Sequence, residues 1–229
     1  MVNSKASAAS AAAGTALESM ASLRPAELVD LLERIDPTDQ QLATTDINEL
    51  GAAIDPGKLN PGLFVRLLAA IDRLAAGGAD LDLTKMGAND FARLISSASA
   101  DQLVALMAHP RLRARILDEI FRRMSEHFRA DRAANTRAVV HWRLYEGAGS
   151  GGYDRYETVI ENGTCTVNPE RTRDARVTIT MHPADFLRLI TGSSSVPTLF
   201  MTGKLRVRGD LAFATGLTGL FDLPRAGRR

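Results

Sequence analysis

The segment that most restricts the fold runs from Val177 to Leu211. Val177-Thr178-Ile179-Thr180-Met181 alternates apolar and polar side chains, the period of a strand with one buried face. His182-Pro183 follows at once, and proline, with its fixed φ and missing N–H, suits the first turn of a helix. Pro183 to Ile190 is therefore expected to be helical, with Phe186, Leu189 and Ile190 along one side. Gly203 and Gly209 then bracket Lys204-Leu205-Arg206-Val207-Arg208, which alternates again, and Asp210 opens a terminal helix carrying Leu211, Phe213, Leu217, Leu220 and Phe221. Strand, helix, strand and helix at such short range call for an α+β fold in which helices cover a sheet.

The residues before this segment supply the rest of the sheet. After His109-Pro110, the side chains Leu112, Ile116, Leu117, Ile120, Phe121, Met124 and Phe128 share one face of a long helix, and Arg111, Arg115, Asp118, Glu119, Arg122, Arg123 and Glu126 share the other. From Arg137 the period changes to two, with Val140, Trp142 and Leu144 on one face and Val139, His141, Arg143 and Tyr145 on the other. Tyr153 to Ile160 and Thr164 to Val167 read as two further strands joined through Asn162-Gly163, a pair suited to a tight hairpin whose central residues need positive φ. Ala175 to Met181 is the fourth strand, and Leu205 and Val207 centre the fifth. The expected architecture is a five-stranded mixed or antiparallel sheet covered by helices on one face.

The strand ending in Met181, the helix opening on Pro183 with an inward Phe186, and the glycine-bracketed basic strand together resemble the sterol carrier protein type 2 family. With the long helix and the four strands before them, the resemblance extends from about Asp101 to Asp222. It implies a sterol carrier-like fold whose helices leave an apolar tunnel for a sterol, a fatty acid or an acyl-CoA ester. Carried over by position, Trp142, Ile179, Phe186, Ile190, Phe200, Phe213, Leu217 and Phe221 are the candidate lining residues. Arg188, Lys204, Arg206 and Arg208 are placed to meet an anionic headgroup or a coenzyme A phosphate, or to be solvated strand-face charges. Ser193-Ser194-Ser195-Val196-Pro197 departs from the family, and without a Ser-Lys-Leu-type ending at Arg229 peroxisomal transport is not expected. Lipid binding or transfer without a covalent step is the function implied. An accessory module that presents an apolar substrate, such as a quinone or steroid intermediate, to a partner enzyme is the second reading, and a closed, ligand-free interaction protein the third.

The first half of the chain lies outside the resemblance. Residues 1–21, rich in Ala and Ser, are expected to be a disordered tail, residues 22–100 an all-helical region, residues 101–222 the lipid-binding domain and residues 223–229 a basic tail. Leu28, Leu31, Leu32 and Ile35 after Pro25, Leu63, Phe64, Leu67, Leu68 and Ile71 after Pro61, and Phe91, Leu94 and Ile95 after Asn89-Asp90 share a pattern that hints at a helical repeat. Residues 1–109 hold 8 Lys/Arg and 14 Asp/Glu, and residues 110–229 hold 20 and 13, so a net charge of +1 divides into −6 and +7. Opposite fields of this kind are solvated faces, attract each other within or between molecules such as a homodimer, or bring the basic part onto an anionic membrane. Nucleic acid is not an expected partner, because no binding motif surrounds the arginines.

No catalytic set stands out. His109, His127, His141 and His182 fall on different elements without metal-ligand spacing, and the serines cluster in tails and turns away from any strand-turn-helix elbow. Gly147-Ala148-Gly149-Ser150-Gly151-Gly152 has the spacing of a dinucleotide fingerprint, yet a strand follows it where pyrophosphate binding needs a helix. Neither metal nor cofactor is expected, and the chain is read as no enzyme. One cysteine, Cys165, excludes an internal disulfide framework and suits a reducing compartment. Arginine outnumbers lysine 24 to 4, a bias that resembles proteins of high-GC bacteria, and a cytoplasmic setting is expected.

Overall fold

The computed structural model describes residues 23–39, 42, 45–79, 81 and 85–223. The expected tail over residues 1–21 and residues 224–229 of the basic end lie outside the described residues. The chain divides into two compact units between Arg113 and Ala114.

The first unit holds the helices α1 (Pro25–Arg34), α2 (Ile47–Ala53), α3 (Pro61–Ala76), α4 (Ala88–Ser97) and α5 (Ala100–Ala108). Their starts follow from side chains that satisfy the first free N–H groups. Asp46 accepts from Asn48 N at 2.6 Å and Asn60 from Leu63 N at 2.8 Å. Ser99 and Gln102 close a reciprocal box, and the buried Gln102 amide also donates to the carbonyls of Pro56 and Leu59, both at 2.8 Å. Arginines occupy the other ends, Arg73 donating to Leu32 O and Ile35 O, and Arg93 to Gly51 O. Asp30 and Arg66, which hold the same place in the α1 and α3 patterns, bond each other at 2.8 Å. Val29, Leu32, Phe64, Leu67, Leu68 and Ile71 form the core between them.

The long helix α6 (Pro110–Glu126) buries Leu112, Ile116, Leu117, Ile120, Phe121 and Met124, the face its spacing predicts, while Phe128 beyond its end is half-buried. In the second unit the strands β1 (Ala138–Tyr145), β2 (Tyr153–Glu161), β3 (Thr164–Asn168), β4 (Val177–Met181) and β5 (Leu205–Gly209) form one sheet in the order β3-β2-β1-β4-β5. All neighbours are antiparallel except β1 and β4, so the sheet is mixed. Asn162 and Gly163 turn the β2–β3 hairpin with φ of 53° and 71°, as their dipeptide predicts. Three short helices complete the unit, α7 (Pro183–Ile190), α8 (Val196–Met201) and α9 (Leu211–Gly216), followed by a 3-10 turn over Leu217–Leu220.

Register fixes the two faces. Val140, Trp142 and Leu144 of β1 stand beside Val177, Ile179 and Met181 of β4, and all six are buried on the face that α7 and α9 cover. His141, Arg143 and Tyr145, with Glu157, Arg155 and Tyr153 opposite them on β2, point the other way. The link from β3 to β4, residues 169–176, passes over that second face and is held there by Glu157. Its buried carboxylate accepts from Thr172 N at 2.9 Å, Thr172 Oγ1 at 2.6 Å, Arg173 N at 3.0 Å and Asn168 Nδ2 at 3.1 Å. His141 Nε2 lies 3.2 Å from Glu157 Oε2 and 3.0 Å from Arg173 O, so one N–H is shared between the carboxylate and the link.

Gly209 ends β5 with φ of 101°, and a Cβ there would meet Arg176 O at 2.4 Å, which accounts for the second of the bracketing glycines. Asp210 then caps α9, accepting from Phe213 N at 2.8 Å while Arg176 donates to it at 2.7 and 3.0 Å. The Phe213 amide and the Arg176 guanidinium hold its carboxyl below the usual range. Asp210→Ala is expected to lower stability by about 1–2 kcal/mol, seen as a lower denaturant midpoint at unchanged slope. Asp210→Asn, which keeps the cap and loses the half-exposed ion pair, should cost less.

Candidate functional site

The centre of the helix-covered face is an aromatic quartet drawn from four elements. Phe121 comes from α6, Trp142 from β1, Tyr156 from β2 and Phe186 from α7. Phe121 stacks on Tyr156 with centroids 3.9 Å apart and on Phe186 at 5.2 Å, and meets Trp142 edge-on at 5.9 Å. Trp142 and Phe186 close the set at 5.5 Å. The three separations from 5.2 to 5.9 Å are those of favourable aromatic pairs, and Phe121 lies closer still on Tyr156. The polar ends of the rings are satisfied inside the layer, Trp142 Nε1 donating to Thr158 Oγ1 at 2.9 Å and Tyr156 OH to Asp118 Oδ1 at 2.8 Å. Each ring thus lies in one orientation without leaving a buried donor unpaired.

The eight lining candidates do not all meet there. Trp142, Ile179 and Phe186 do, Ile179 being the β4 neighbour of Trp142. Leu217 is buried in the 3-10 turn, and Phe221 is buried against Phe128 at 5.7 Å, with a backbone bridge between the two. Ile190 is half-buried on the last turn of α7. Phe213 is half-buried at the β4–β5 edge, with the Arg176 guanidinium 4.4 Å over its ring. Phe200 is 44% exposed on α8, beside Met201 at 86%, and Leu211 is 43% exposed on α9, which packs on α8. Exposed large apolar side chains gathered on two adjacent short helices mark a contact surface. Phe121 and Tyr156 belong to the quartet and were not among the candidates. The α6 periodicity carries the signal for Phe121, whereas Tyr156 shows itself only through its register opposite Trp142.

Of the four basic candidates, Lys204 Nζ lies 3.6 Å and Arg188 Nη1 4.0 Å from Asp185, so both are partly neutralised, while Arg206 and Arg208 point from the sheet face turned away from the helices. Reactive groups are quiet. Cys165 is buried, and burial pushes its thiol up to about 12, well above the range of a working thiolate. Among the described residues no three His, Cys, Asp or Glu side chains cluster to hold a metal, and no helix is long and apolar enough to cross a membrane. The first unit has a separate cleft of about 140 Å³ lined by Leu23, Pro25, Leu28, Leu50, Asp55 and Lys58, among others.

Residues 117–222 match the SCP-2 sterol transfer family. Sterol carrier protein 2 of Homo sapiens is 37% identical over 73 residues, 31% of this chain and 13% of that protein, so the chain spans a small part of that relative's length. Hydroxysteroid dehydrogenase-like protein 2 of Homo sapiens is 26% identical over 117 residues, 51% of this chain and 27% of that protein. Among solved structures, the sterol carrier protein domain 2 of Helicoverpa armigera superposes with a TM-score of 0.36 at 20% identity, covering 44% of this chain and 82% of that one.

Proposed function

We propose, with residues 117–222 as a domain of the SCP-2 sterol transfer family, that the second unit holds an apolar lipid between its sheet and its helices and exchanges it without a covalent step. The observation that carries this reading is the exposed apolar rim of Phe200, Met201 and Leu211 on α8 and α9, beside a sheet face whose inward side chains are almost entirely apolar. A sterol, a fatty acid or the acyl chain of a coenzyme A ester fits that chemistry. The ligand enters at the rim and displaces α8 and α9 outward, and the quartet forms the floor on which its far end rests.

The energetics suit a carrier. Burying about ten methylenes at roughly 0.8 kcal/mol each gives about 8 kcal/mol before ordering costs, the scale of micromolar affinity. Because the drive is area burial without direction, selectivity among acyl chains is modest. Reversible loading and unloading at a membrane require such a range. The quiet cysteine and the scattered histidines agree with binding in place of chemistry. An accessory role toward a partner enzyme is the alternative. It draws on the match to a segment of a hydroxysteroid dehydrogenase-like protein and on the separate helical unit in this chain.

The test is uptake of a fluorescent fatty acid or sterol analogue by the purified chain. Saturable uptake is expected, weakened about tenfold by Phe213→Asp, with exchange into vesicles slowed by the pair Phe200→Ser and Leu211→Ser. No saturable uptake of any lipid class would end the carrier reading, and a co-purifying enzyme that binds residues 22–108 would favour the accessory one.

A further inference from the structure

The face of the sheet turned away from the helices holds a second concentration of chemistry that the lipid reading does not use. Register sets Arg155 of β2, Arg143 of β1, Thr180 of β4 and Arg206 of β5 side by side in one row across four strands. With neighbouring strands about 4.8 Å apart, the row is about 14 Å long. Arg208 stands two residues further along β5, beside Thr178. Arg171, on the link over this face, lies close enough to Arg155 and Arg143 that burial and their two charges hold its guanidinium below the usual range.

Among the described residues no carboxylate forms an ion pair with Arg143, Arg155 or Arg206, although the Glu157 charge acts on Arg171 from nearby. Glu157, buried on this face, has its oxygens occupied by Thr172, Arg173, Asn168 and His141. Glu161 is paired with Arg173 at 2.9 Å. Arg143 and Arg155 oppose each other directly, an arrangement that disfavours folding when both are charged. The Arg143 guanidinium lies 4.0 Å over the Tyr153 ring, and Arg155 donates to Ser150 O at 2.5 Å, so both are held in place. Yet the Nε of each is buried and has no acceptor. A buried donor without a partner is costly, and here two belong to guanidinium groups of like charge on directly opposed residues.

We infer that this row is a binding site for a phosphorylated anion, with one phosphoryl group between Arg143, Arg155 and Arg171 and a second negative group within reach of Arg206. Guanidinium forks match phosphate oxygens in pairs, and the anion turns the mutual repulsion of the three arginines into shared attraction. The source is a soluble phosphate ester and not a bilayer surface. Arg143 and Arg155 are half-buried between the Gly147–Gly152 hairpin and the 169–176 link, where a compact anion reaches them and a flat layer of headgroups meets the loops first. The site is on the opposite side of the sheet from the lipid-facing layer and stands whether or not that layer carries lipid.

The probe is sodium pyrophosphate titrated calorimetrically into the full chain at low ionic strength. Saturable binding to one site is expected, weakened about tenfold by Arg143→Gln or by the loop variant Arg171→Gln, less by Arg206→Gln, and unchanged by Arg132→Gln, whose guanidinium donates to Gly219 O away from the four strands of the row. Pyrophosphate should also raise the thermal midpoint of the parent chain and not that of Arg171→Gln, which keeps the test valid if Arg143→Gln folds poorly. Absence of saturable binding, or equal weakening by Arg132→Gln, would overturn the assignment. A parallel arm uses phosphatidylcholine vesicles carrying phosphatidic acid, and vesicle binding without pyrophosphate binding would overturn it in favour of a membrane surface.

Discussion

Glu157→Ala should be the most damaging single change in the second unit, costing about 3–5 kcal/mol, because it leaves the donors of Thr172, Arg173, Asn168 and His141 turned toward an empty buried site. The same carboxylate gives the unit an acid-sensitive contribution. Burial alone would raise its pKa, but the Thr172 hydroxyl and amide, the Arg173 amide and Asn168 outweigh that and hold it at about 2 against an ordinary 4.5. A folded pKa below the unfolded one means stability that is present above the unfolded value and lost as pH falls through the folded one. About 3.5 kcal/mol, at about 1.4 kcal/mol for each tenfold change in proton affinity, should therefore disappear between about pH 5 and pH 2. Glu157→Gln should unfold at lower denaturant near neutral pH and show a flatter acid limb. Chemical denaturation of both proteins at a series of pH values measures this, and parallel curves would contradict it.

The second large effect is expected at Phe186, which is fully buried against Phe121 and Trp142. Phe186→Ala removes a ring from a close-packed cluster and should cost about 3–5 kcal/mol, part of it from the cavity left behind. An acyl chain resting on the quartet would refill that space. A saturating long-chain fatty acid is therefore expected to raise the melting temperature of Phe186→Ala by several degrees more than that of the parent chain, through stronger linkage to the folded state. Equal shifts in the two proteins would place the ligand elsewhere in the layer.

The sheet was legible because alternation is a direct consequence of strand geometry. Val140, Trp142 and Leu144, then Val177, Ile179 and Met181, declare their face in the sequence and are buried. Asn162-Gly163 likewise declared its turn. What the sequence withheld is which strands are neighbours. Alternation puts Glu157 on the outward face of β2, where an acid reads as a solvated charge. It is buried only because a link 15 and 16 residues away in sequence brings Thr172 and Arg173 over it. Arg143 and Arg155 lie twelve residues apart in the chain and become opposed only through the hairpin register. The lining candidates divide for a similar reason. Spacing gives the side of a helix, but α8 is too short for its apolar residues all to face the core, so Phe200 turns outward and Leu199 inward. The domain read as residues 101–222 and the compact unit from Ala114 overlap over the whole sheet, which is the part that periodicity defines.

The parallel pairing of β1 with β4 also orders how the sheet is completed. The meander β1-β2-β3 closes through short hairpins and can form from local contacts as soon as Asn168 has been made. The other margin of β1, with Val140, Trp142 and Leu144 alongside it, stays unpaired until the link has crossed the sheet and β4 has been added as far as Met181. For that interval the most buried strand of the finished sheet is an open edge, able to pair with another chain. A chain that ends ahead of Val177 therefore leaves exposed the strand edge that the complete sheet covers.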